Sequence, residues 1–97
     1  MEYSLHEIKD RVAMIMLAYN EADTIESTIR EFYKKVAGKM SNVDLWVFED
    51  GSTDGTKEVL EKMKGEFSSL HAEMAKRKKG YPRAMREAFL SVNSSEY

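Results

Sequence analysis

Two apolar runs, Val12-Ala13-Met14-Ile15-Met16-Leu17-Ala18-Tyr19 and Leu45-Trp46-Val47-Phe48, contain no polar alternation. A strand with one wet face alternates; a run without alternation needs cover on both faces. A helical reading of the first run fails at Asn20-Glu21-Ala22-Asp23, which is polar and precedes a separate helical pattern. In that pattern Ile25, Ile29, Phe32, Tyr33, Val36 and Met40 share one helix face. Asp23 or Thr24 is placed to cap it, Glu26 and Arg30 form an i,i+4 pair, and Gly38 and Ser41-Asn42 mark its end.

The second run is followed by Thr56, Val59, Leu60, Met63 and Phe67 at helical spacing, with Gly65 near the stop. Leu70-His71-Ala72-Glu73-Met74-Ala75 alternates, as an edge strand does. Pro82 suits the first turn of a third helix carried by Met85, Ala88, Phe89 and Val92. The order β-α-β-α-β-α predicts one α/β domain over residues 1–97: a three-layer, Rossmann-like parallel sheet with right-handed crossovers.

Composition narrows the partners. Fifteen basic and seventeen acidic residues leave a net charge of -2, which implies no nucleic acid or other bulk polyanion. There is no cysteine, and His6 and His71 are far apart, so disulfides and a histidine metal site are not expected. The start, MEYSLHEIKDR, is mixed in charge and lacks the apolar core of a signal peptide. No apolar run approaches the ~20 residues that span a bilayer, so a cytoplasmic chain is expected.

Ligands of open parallel sheets bind outside the carboxyl ends of the strands. Two segments reach that crest: Tyr19-Asn20-Glu21, and Glu49-Asp50-Gly51-Ser52 after the second strand. The first turn has no glycine, which excludes a G-x-G-x-x-G dinucleotide loop, and there is no P-loop. Adjacent carboxylates repel phosphate, yet they accept hydrogen bonds from a ring N–H of uracil or guanine or from ribose hydroxyls. Gly51 allows close backbone approach. The plain alternatives are a solvated acidic strand tip for Glu49 and Asp50, a rim aromatic for Tyr19, and a turn-holding role for Asn20. Ser52, Thr53 and Asp54 read most simply as helix caps.

At these residues, LAYNEADTIESTI followed by VFEDGSTDGTKEVL resembles the nucleotide-binding half of family 2 glycosyltransferases, inverting enzymes of the GT-A fold. Dolichyl- and polyprenyl-phosphate sugar synthases are the nearest members in flavour. The resemblance runs from about Val12 to the end and implies a nucleoside-diphosphate sugar donor and a lipid-phosphate or glycan acceptor, the former placing the chain at the cytoplasmic face of a membrane. It implies a nucleotide-binding set of Leu17, Tyr19, Glu21, Asp50 and Gly51. Within it Tyr19 flanks the base, Glu21 binds base or ribose, and Asp50 accepts the base N–H. Leu17 stands where the family has proline and Glu49 where it has a first aspartate, so Glu49 is expected to be structural.

The family's D-x-D, which holds magnesium or manganese in the complete enzyme, is expected just beyond Tyr97. The chain therefore reads as the N-terminal half of a GT-A fold, with no metal ligand and no catalytic residue of its own and inactive alone. The basic cluster Lys76-Arg77-Lys78-Lys79, with Arg83 and Arg86, offers Lys79 and Arg83 to the diphosphate; a solvated face or an anionic membrane surface are the alternatives.

Two rival functions come from other classes. One is a non-catalytic nucleotide-binding or regulatory module. The other, a phospho-acceptor signalling domain, needs acids after the first strand and an aspartate after the third. Here those positions read Tyr-Asn and Ala-Lys-Arg-Lys. A last expectation concerns the sheet edge. Residues 12–19 lack proline, lysine or an inward charge, so an uncovered first strand predicts a homodimer paired through it.

Overall fold

The computed structural model describes residues 2–8, 11–37 and 42–93. Chain order is β1 (Glu2–Ile8), β2 (Arg11–Ala18), α1 (Ile25–Phe32) running into a π-helical turn (Tyr33–Ala37), β3 (Val43–Glu49), α2 (Thr56–Glu66), β4 (Leu70–Met74) and α3 (Tyr81–Asn93). The four strands form one sheet in the order β1-β2-β3-β4. β2, β3 and β4 are parallel, with Met14 opposite Leu45 and Leu45 opposite Leu70. This is the expected α/β core.

Both apolar runs are covered on both faces. Val12, Met14, Met16 and Ala18 of β2 point to one side with Val43, Leu45 and Val47 of β3, and there they meet Ile25, Ile29 and Phe32 of α1 and Leu60 and Met63 of α2. Ala13, Ile15, Leu17 and Trp46 point to the other side, under Ala84, Ala88 and Val92 of α3. Small residues on α3 let its backbone lie close to β2. Three layers result.

Two expectations need correction. β1 was not foreseen: Glu2–Ile8 pairs antiparallel with β2 from Glu2 opposite Leu17 to Ile8 opposite Arg11. β2 is therefore not an edge, and the argument for a homodimer through it falls away, because the chain supplies its own neighbour. The first helix is also less regular than its spacing suggests, ending as an α-helix at Phe32 before the π-helical turn. There Tyr33 stacks on Phe67 at 4.2 Å, and its hydroxyl lies 2.9 Å from that of Ser69. Gly38, Met40 and Ser41, and the side chains of Met85 and Phe89, lie outside the described residues.

Candidate functional site

The carboxyl ends of β2, β3 and β4 form the crest. Two of its turns, residues 19–24 and 50–55, are fastened to each other. The Asn20 amide donates to Ser52 Oγ at 2.9 Å, and the Thr53 amide donates back to Asn20 Oδ1 at 2.8 Å. The Glu21 amide donates to Thr56 Oγ1 at 2.9 Å, and the Ala22 amide to Asp54 Oδ2 at 3.1 Å. Thr56 is fully buried, and its hydroxyl donates a hydrogen bond to Asp54 Oδ1 at 2.5 Å. Asn20 takes the left-handed conformation, φ 50°, which asparagine tolerates better than most side chains.

Ser52, Thr53 and Asp54 thus do more than cap. α2 begins after Gly55, and no side chain caps it at that position. Ser52 serves the first turn. Asp54 divides its carboxylate between that turn and the Thr56 amide, 3.1 Å from Oδ1. The hydroxyl of Thr56, aided by the amides of Ala22 and Thr56, holds the Asp54 carboxyl below its ordinary range. This interlock escaped sequence reasoning, although the dense Ser/Thr/Asp run was its signal.

The adjacent acids are the last residue of β3, Glu49, and the residue that follows it, Asp50. Glu49, 2% exposed, accepts the Ser52 amide and lies 4.0 Å from Lys57 Nζ of α2. It is structural. Asp50, 7% exposed, accepts the amides of Lys79 and Gly80 at 2.8 and 3.1 Å. Neither acid is a solvated strand tip.

Residues 75–80 form a basic strap that crosses the crest from β4 towards β2. The Ala75 amide donates to the Glu49 carbonyl at 3.0 Å. The strap then rests on Gly51, φ 77°, where an added Cβ would lie 2.4 Å from the Arg77 carbonyl carbon. At its far side Lys78 Nζ stands 4.3 Å from the centroid of the Tyr19 ring. The Ala84 amide donates to the Gly80 carbonyl at 3.0 Å, carrying the chain into α3. A cleft of about 230 Å³ opens between the strand ends and α3, lined by Phe48, Asp50, Glu73, Lys79 and Glu87 among others.

Tyr19, Asp50 and Gly51 are therefore gathered beneath one strap, while the Glu21 backbone is tied to the start of α2 through Thr56. Leu17 is buried in the core under α3. Lys79 and Arg83 converge on Glu87 instead: Lys79 Nζ pairs with it, and Arg83 Nε lies 3.4 Å away. Those cations, Lys79 first, keep the Glu87 carboxyl below its ordinary range. Lys78, which sequence reasoning left in the general cluster, is the cation found on the Tyr19 ring.

Among the described residues no three His, Asp or Glu side chains assemble as a metal site. Glu49 gives Oε2 to the Ser52 amide while its Oε1 is buried without a hydrogen-bond partner, and Asp50 gives both oxygens to strap amides. None of the described helices is long and apolar enough to cross a membrane. A search of curated proteins gives no match. The family model described as Glycosyl transferase family 2 matches residues 13–95.

Proposed function

The chain belongs to glycosyl transferase family 2, and on that premise we propose that its crest binds the nucleoside-diphosphate part of a sugar donor. The observation that supports this reading is the convergence of Tyr19, Asp50 and Gly51 beneath a cationic strap at the ends of parallel strands. Tyr19 offers an aromatic face for a base. Asp50 gives one lone pair of each oxygen to the strap amides and keeps a second for a base N–H. Glu21 serves the ribose, and the strap and Arg83 supply positive charge for the diphosphate.

In glycosyl transfer with inversion, an acceptor oxygen attacks the anomeric carbon as the diphosphate departs. The proposed acceptor is a lipid phosphate or a glycan, in the manner of dolichyl- or polyprenyl-phosphate sugar synthases. These residues bind and orient the donor; Glu49, Asp50 and Asp54 are all engaged by backbone amides, and none is placed as a base. That engagement favours, as a second reading, a module that binds nucleotide without turning it over.

Calorimetric titration with UDP and GDP tests the proposal. Tyr19→Ala should weaken the binding by about 1–3 kcal/mol through lost stacking, and Asp50→Asn by about 1.5–3 kcal/mol through a lost charged acceptor. Equal affinities in wild type and both variants would remove the crest from consideration. Product formation from a sugar donor decides between transfer and binding alone.

A further inference from the structure

The strap holds its own chain in two ways, of which a nucleotide would have to disturb the first. Lys78 occupies a face of Tyr19, and Asp50 spends one lone pair on each of the Lys79 and Gly80 amides. We propose that residues 75–80 are a self-docked gate. In it Lys78 is the contact residue that a base displaces from Tyr19 and that then meets the diphosphate, and Asp50 is the positioning residue that keeps the strap in reach of both. The inference rests on the nucleotide reading above and adds to it how the ligand enters.

The competition has a clear direction. An ammonium on an exposed aromatic ring is held by only about a two- to fivefold preference. A base stacked on the same ring gains about five- to 150-fold. The base wins, and the ammonium it frees is short of a partner until an anion arrives. A nucleoside therefore displaces Lys78 without recompense, whereas a nucleoside diphosphate gives it two phosphates to bind. Lys79 and Arg83 are poorer candidates for this exchange because Glu87 already holds both. The strap does not need to unfold to open. Its seat on Gly51 precedes Lys78 and its bonds to Asp50 follow it, all through backbone atoms, whereas Lys78 meets Tyr19 through its side chain.

The gate makes a crossed prediction for Lys78→Ala. Uridine and guanosine should bind about two- to fivefold more tightly than to wild type, while UDP and GDP should bind more weakly. Lys78→Arg should restore the wild-type order for both. Asp50 is tested without ligand. Nuclear magnetic resonance should show the Lys78 ε-methylene protons shifted upfield by the Tyr19 ring, and Tyr19→Leu should abolish that shift. Asp50→Asn should speed amide exchange at Lys79 and Gly80 and also remove the Lys78 shift, which a merely local role for Asp50 would leave in place. Absence of the shift in wild type overturns the gate. If probes bind but Lys78→Ala leaves nucleoside affinity unchanged or lower, the gate alone is overturned. If the shift is present and no probe binds any variant, gate and nucleotide reading fall together.

Discussion

The crest is held together differently on its two sides. Between β2 and β3 the turns are joined by short side chains and backbone, and the central residue, Thr56, is fully buried. On the other side, after β4, lies a strap fixed by one backbone hydrogen bond to Glu49, one carboxylate, one glycine contact and one lysine on a ring. Short side chains lose little freedom when ordered, and buried hydrogen bonds without partners are costly, so the first side is rigid. Four-carbon lysine stems in water exchange partners readily. Rigid scaffold and adaptable cover are thereby built from neighbouring connections.

The largest effect should come from Gly51→Ala. Its Cβ would meet the Arg77 backbone at 2.4 to 2.7 Å, and its φ of 77° strains any side chain. A loss of about 2–4 kcal/mol is expected, read from the urea midpoint. An unchanged midpoint would show that the strap does not rest there and would erase the contrast between the two sides.

Thr56→Val comes next. It keeps the shape but leaves the Glu21 amide without its acceptor and Asp54 without a hydroxyl donor, at a cost of about 1–3 kcal/mol. Hydrogen exchange should then quicken at residues 20–22 while Lys79 and Gly80 keep their protection. Equal changes on both sides would mean that the crest opens as one unit.

Acid sharpens the comparison further. Asp54 and Glu87 both have folded pKa values below their ordinary 3.8 and 4.5. A lowered carboxyl contributes stability that is present above the unfolded value and lost as pH falls through the folded one. Thermal stability should hold from neutrality down to about pH 4.5 and decline below it. Asp54→Asn should flatten the part of that decline belonging to the interlock and leave the part belonging to Glu87. A profile unaltered by the substitution would mean that the Thr56 hydroxyl does not stabilise the charge.

The smallest effect on stability should be that of Lys78→Ala, an exposed side chain whose removal costs at most the ~0.5–1 kcal/mol of its ring contact at the urea midpoint. A clear drop would make Lys78 part of the scaffold and blur the distinction between the sides.

Much of this fold is written in local spacing. Runs such as VAMIMLAY and LWVF can be satisfied only by cover on both faces, and helical periodicity between and after them supplies the covering layers. The crest followed from the same logic, since strand ends locate it and its polar residues stand out there. β1 was not legible: EYSLHEI has neither a continuous apolar run nor a turn glycine before β2, and an edge strand needs only one neighbour. Partners were not legible either. Asp50 meets amides 29 and 30 positions onward, and Asn20 meets Ser52 across 32. Spacing reveals which residues share a face, because helix and strand periods are properties of the local backbone. It does not reveal where the chain returns, because that depends on how whole layers pack; this is why Lys78 on Tyr19 emerged only in three dimensions.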